Sequence, residues 1–297
     1  MAVLLANQSS YSLLSSCLTI DKLIEGAKER GYSAIALCDH GSMFGTMEFI
    51  LKAKQANIQP IVGLWVDASI DQLKAQFIIL SKNEEGYKEC IYLSNRMLKD
   101  GVVDFDELLT HTHHCVVIAL GEGGYLEDDM IHQSVEPLRE KLARLQQFKD
   151  VYIGLSNQHA TFWHKNNQWL KQQVQRHSMR TVALPKVYYL KEEDEIYHRI
   201  LRGIKENLTL DDKRLLPRLH HHMPSTRQLV ELYDIDDLIS TDEIAEKCEL
   251  FELNRRTSLP LFPLDAKVTS KQFLAQLCKV GLKKRMNGKP IPSEYIE

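Results

Sequence analysis

The sequence predicts an α/β fold, a distorted (β/α)7 TIM-like barrel followed by a C-terminal helical extension. Short continuous apolar runs recur about seven times in the first two-thirds of the chain, as strands buried on both faces should. Helical patterns separate most of these runs, which implies a mostly parallel and nearly closed sheet. Beyond Asn207 the strand signal fades and only helical patterns remain.

The first apolar run, residues 3–5, leads to Thr19, a helix cap. Ile20, Leu23, Ile24 and Ala27 then recur at helical spacing until Gly31 ends the turn. Residues 34–38 are apolar throughout and are followed by Asp39-His40-Gly41 and a helical stretch over 43–56. Further strands are expected at 61–66, 77–80, 116–120, 151–155 and 181–184, with helices around 85–98, 137–148, 164–176 and 194–204. Residues 225–233, 241–248 and 269–286 read as the helices of the extension.

The totals exclude several classes of protein. Hydrophobic residues are 44% and charged residues 26% of 297, as in ordinary globular chains. A net charge of -3 argues against a domain built mainly to grip nucleic-acid phosphates, so any DNA contact must be local. Six cysteines, Cys17, Cys38, Cys90, Cys115, Cys248 and Cys278, are scattered with no C-x-x-C pair, which fits reduced thiols in the cytoplasm. No apolar run approaches the roughly 18 residues of a membrane span, so no membrane association is expected.

Six segments in order carry a specific resemblance: Tyr11-Ser12-Leu13-Leu14, Ile20-Asp21-Lys22-Leu23, the stretch from Asp39-His40-Gly41 to Gly45, Pro60-Ile61-Val62-Gly63, the stretch from Leu80-Ser81-Lys82 to Tyr87, and Leu259-Pro260-Leu261-Phe262-Pro263. Together they resemble the N-terminal polymerase-and-histidinol-phosphatase (PHP) domain of the bacterial DNA polymerase III alpha-subunit family. The resemblance implies a PHP barrel over residues 1–207, a helical and extended remainder over 208–265, and a helix over 266–297 leading toward a polymerase palm beyond Glu297. The parent activity would be DNA-directed DNA synthesis in replication. Mg²⁺ would act in that palm, and no cofactor is expected in this segment. Expected partners are the palm and thumb, then replisome subunits such as a clamp or a proofreading exonuclease, with DNA held weakly or not at all by the segment itself.

Active members of the family hold divalent metals at the carboxyl ends of the barrel strands, where a metal-bound water attacks a phosphoester. By the resemblance, Ala6 and Gln8 stand in place of a His-x-His pair, Trp65 in place of a glutamate, Gln76 in place of a histidine, and Lys186 and Tyr188 in place of an Asp-x-His pair. The Lys186 ammonium is expected to oppose a cation there. Only Asp39, His40 and His198 remain at ligand-like positions, too few for a multinuclear centre though enough for one loosely held Zn²⁺. The preferred reading is that no metal is bound, and that Asp39 caps the turn into the next helix. The segment is therefore expected to be a structural and docking module. The alternatives are a PHP metal-dependent phosphoesterase or a residual 3'-5' exonuclease.

Two further histidine groups, His111-Thr112-His113-His114 and His220-His221-His222, read as solvated loop residues, because adjacent side chains do not converge on one ion. Lys283-Lys284-Arg285 likewise reads as a solvated helix face rather than a DNA contact.

Overall fold

The structure is a computed structural model that describes residues 2–71, 73–156, 161–217, 220–251, 253, 262–264, 268–290 and 292–293. Two compact units divide the chain, Met1–Leu253 and Asn254–Glu297.

The first unit runs in the order β1 (Ala6–Asn7), α1 (Ile20–Glu29), β2 (Ala34–His40), α2 (Thr46–Gln55), β3 (Gln59–Ile70), β4 (Leu73–Ser81), α3 (Glu84–Asp100), β5 (Val103–Asp104), α4 (Phe105–Thr110) and β6 (Cys115–Leu120). It continues with α5 (Glu127–His132), α6 (Val135–Leu145), β7 (Val151–Leu155), α7 (Thr161–Arg176), β8 (Arg180–Ala183), β9 (Lys186–Val187), a 3-10 turn at Glu192–Asp194, α8 (Glu195–Glu206), α9 (Thr226–Leu232) and α10 (Ile235–Lys247). Local chemistry sets the helix starts. Thr19 accepts from the Lys22 backbone N–H at 3.3 Å, and Asn83 accepts from Glu85 and Gly86 at 3.1 Å each. Gly101, at φ 76°, closes α3 in the left-handed conformation that glycine adopts without a Cβ clash.

The main sheet has the order β2-β3-β4-β6-β7-β8, with β5 paired to β3, while β1 pairs with β9 in a second, two-stranded sheet. A bridge from Leu4 to Ile35 joins the β1 segment to β2, so the sheet curls almost onto itself. Its neighbours run parallel except at β4, which is antiparallel to both β3 and β6. Here the structure departs from simple βα alternation, because β3 and β4 form one long hairpin with no helix between them. Asp67 and Ser69 make the outer half of β3 look like the end of a strand in sequence. In fact that half is buried on one face only, which is why its apolar run breaks into alternation.

Side chains alternate along the strands between the barrel interior and the helix layer. Ala36 and Cys38 point inward to pack with Ile61, Ile78 and Ile118, whereas Ile35 and Leu37 point outward to Phe49 of α2 and Leu23 of α1. α10 closes the amino-terminal end of the barrel: Ile244, Ala245 and Cys248 join the interior core. Thr241 Oγ1 there accepts from the Val3 N–H at 2.9 Å, and Gln59 Nε2 donates to the carbonyls of Ala245 and Cys248. The helices after Asn207 thus supply part of the barrel's own core.

In the second unit α11 (Ser270–Met286) starts at a capping box between Thr269 and Gln272 and ends at Asn287, with φ 45°. Lys283, Lys284 and Arg285 fall in its last turn, where cations complement the helix dipole. Residues 259–261 of the expected 259–263 run and the terminal Tyr295 to Glu297 lie outside the described residues.

Candidate functional site

A cleft of about 270 Å³ opens at the carboxyl end of the parallel strands. Its lining includes Gln8 just after β1, His40 at the end of β2, Trp65 on β3, Gln76 on β4, Tyr188 just after β9, and His198 with Arg202 from α8. The β2–β3 register sets His40 beside Trp65, and the β3–β4 register sets Asp67 opposite Gln76.

His40 Nε2 lies 3.1 Å from Asp67 Oδ2, and Gln76 Nε2 donates to Asp67 Oδ1 at 2.8 Å. Burial alone would push the Asp67 carboxyl up, but its bonds to His40 and Gln76 outweigh that and hold it below the usual carboxylate range. This three-residue chain crosses three strands at the rim. Asp67 was not among the expected site residues. Its position two residues after Trp65, on the same face of one strand, is the signal that points to it.

Asp39 is turned away from the cleft. Its Oδ1 accepts from the Ser9 N–H at 2.7 Å and the Ser12 hydroxyl at 2.6 Å, and its Oδ2 accepts from the Ser9 hydroxyl at 2.7 Å. Burial pushes this carboxyl up despite those bonds. The expected cap toward the following helix is replaced by a strap from β2 back to the loop after β1. Ser12 completes the strap by accepting from the His40 N–H at 3.0 Å.

The structure therefore brings His40 and His198 to one cleft and leaves Asp39 outside its lining. His198 is fully buried, and its ring stacks on Tyr188 with centroids 5.1 Å apart and planes 9° apart. Tyr188 also stacks with His221, with centroids 5.3 Å apart. His221 is thus a buried packing residue rather than the solvated one expected, because Tyr188 offers a flat apolar face beside its loop. The His222 side chain is largely covered, and burial lowers its pKa. His111 stacks on Tyr92 at 3.8 Å, and His114 pairs with Glu89 at 3.1 Å, both before β6 and away from the cleft.

Lys186 also departs from expectation. Its ammonium donates to the Glu122 carbonyl at 3.0 Å, in the loop after β6, and does not line the cleft. Trp65 is buried and belongs to the barrel core while its edge meets the cleft. At the mouth, Lys205 Nζ donates to Ser15 Oγ at 2.9 Å, and Arg202 donates to the Leu216 carbonyl at 2.8 Å. Among the described residues no three His, Cys, Asp or Glu side chains are grouped so as to hold a metal ion.

Comparison with known proteins gives this architecture a family. The chain is 28% identical over 297 residues to DNA polymerase III subunit alpha of Bacillus subtilis, covering 95% of this chain and 26% of that protein. It is 34% identical over 140 residues to the same subunit of Rickettsia felis, covering 44% of this chain and 12% of that one. The chain spans about a quarter of the length of the curated relatives it matches. Among solved structures, an amidohydrolase from Chromobacterium violaceum aligns with a TM-score of 0.47 at 12% identity, over 63% of this chain and 88% of that one. The sequence model of the PHP domain matches residues 5–158, from the β1 segment to just past β7. With more than half of its length matched by that model, the chain belongs to the PHP domain family.

Proposed function

We propose that this chain is the PHP region of a bacterial replicative DNA polymerase III alpha chain and works there as a structural and docking module without a metal centre. The similarity to polymerase alpha subunits over 95% of the chain supports the parentage. On this reading the parent synthesises DNA in the cytoplasm with Mg²⁺ in its palm, and the barrel braces the palm and thumb and offers a surface to replisome subunits.

The observation that carries the metal-free reading is the donor set. Gln8, Trp65, Gln76 and Tyr188 line the cleft, and none is a usual ligand of Zn²⁺ or Mn²⁺. Asp39, the carboxylate closest to a family ligand in sequence, already accepts three hydrogen bonds from Ser9 and Ser12. A metal would have to displace them. Its Asp67 alternative is held by His40 and Gln76.

One observation favours a second reading, a residual one-metal 3'-5' exonuclease: His40 and His198 share the cleft with Asp67 at its rim. Elemental analysis after dialysis, run with a phosphoesterase and exonuclease assay, separates the two. The leading reading expects well under one metal per chain and no hydrolysis. Stoichiometric Zn, Mn or Fe with activity lost in His40→Ala overturns it.

A further inference from the structure

Two residues that line this cleft each carry a buried polar atom with no hydrogen-bond partner among the described residues, the Gln8 side-chain oxygen and the Trp65 indole N–H. Gln8 is 4% exposed and Trp65 3%, so bulk water does not compensate them. An unpaired buried donor or acceptor is costly, and here one of each belongs to residues that line the same cleft. Packing does not require them: the Gln8 backbone is fixed independently, with its N–H donating to the Val187 carbonyl and its carbonyl accepting from Ser16 Oγ. Such a pair of orphans is complementary to a ligand edge that carries an acceptor next to a donor.

The charges of the lining narrow the class. Arg202 lies 3.8 Å from Glu206, His40 is paired with Asp67, and Lys205 bonds Ser15. Glu206 offsets one of the two lining cations, Arg202 and Lys205, and the remaining positive charge disfavours a free metal ion. A volume of about 270 Å³ suits a neutral molecule of nucleoside size. The Tyr188 ring already stacks with two imidazoles, those of His198 and His221, so recognition is assigned to polar edges rather than to stacking on this ring. Side-chain amides read nucleobase edges by such a donor–acceptor pairing, and an indole N–H supplies a further donor to a ring carbonyl.

We infer that the cleft binds a nucleobase edge, with the Gln8 amide accepting from a ring N–H and the Trp65 indole donating to the adjacent carbonyl. The inference rests on the metal-free reading of the same cleft, and elemental analysis of the same sample keeps the two apart.

The test is calorimetric titration of the folded chain with thymidine, with N3-methylthymidine, which lacks the ring N–H, and with a short oligothymidylate. Thymidine is expected to bind one-to-one with a Kd below about 1 mM, and the N-methyl analogue at least tenfold more weakly. Trp65→Phe, which keeps a ring but deletes the donor, should weaken thymidine about tenfold, and Gln8→Met should abolish binding, with far-UV circular dichroism confirming the fold. Oligothymidylate binding tenfold tighter than thymidine identifies a strand end as the source of the base; equal affinity identifies the free nucleoside. Absence of saturable thymidine binding, equal binding of the N-methyl analogue, or unchanged binding in both variants overturns the inference. If the sample carries a stoichiometric metal, the metal-free reading fails, and the same titration after chelation still decides the base site.

Discussion

His40 Nε2 and Asp67 Oδ2 stand 3.1 Å apart on neighbouring strands, which ties the end of β2 to the middle of β3. Because the Asp67 carboxyl is held below its ordinary range, its contribution to stability is fully present above the unfolded value of about 3.9. That contribution is lost as pH falls through the lower folded value. Both side chains are about a third exposed, so solvent screens the pair. Asp67→Asn should lower stability at neutral pH by less than about 1 kcal/mol, and the gap to wild type should close as pH falls below the ordinary carboxylate range. Urea titrations across that range check it; a gap independent of pH would mean that packing, not charge, is lost.

Asp39 holds the loop after β1 through Ser9 and Ser12. An asparagine there has one acceptor oxygen for three donors, so Asp39→Asn should cost about 1–3 kcal/mol. The loss should be the same with and without chelator, because a metal-linked residue would respond to metal removal. Denaturant curves in both buffers measure it, and a chelator effect confined to wild type would contradict the structural role.

Trp65 fills the barrel interior beside Ile78 and Ile118. Trp65→Ala should cost about 3–5 kcal/mol through the cavity it leaves, and Trp65→Glu more, since the carboxylate gains no cation. Lys186 is committed to the Glu122 carbonyl, so it should not rescue the glutamate. A double-mutant cycle of Trp65→Glu with Lys186→Met is expected to show coupling below about 0.5 kcal/mol; a large coupling would place the ammonium in the cleft.

A Cβ at Gly63 would lie 2.5 Å from Cys38 Sγ and 2.7 Å from Leu80 Cδ2, between β2 and β4. Gly63→Ala should therefore overpack the interior by about 1–3 kcal/mol. Thermal melts of this variant beside Gly101→Ala separate the causes, since nothing lies within 4 Å of a Cβ at Gly101 and its cost arises only from the left-handed backbone.

What the sequence by itself determined is what acts over short range. Continuous apolar runs marked the strands buried on both faces, Thr19 and Asn83 marked helix starts, and the ordered motifs from Tyr11 to Tyr87 marked the family. Non-ligand residues at Gln8, Trp65 and Gln76 were legible only through the family resemblance, whose motifs place ligands at those positions. Only the tertiary structure decided that β4 runs backward, that Asp39 bonds Ser9 and Ser12, that Lys186 reaches Glu122, and that His221 is buried against Tyr188. These outcomes pair groups about 27 to 64 residues apart, or set a strand's direction against two neighbours at once. A buried polar group takes whichever partner the closed barrel brings within hydrogen-bond reach, and chain spacing carries no record of that choice.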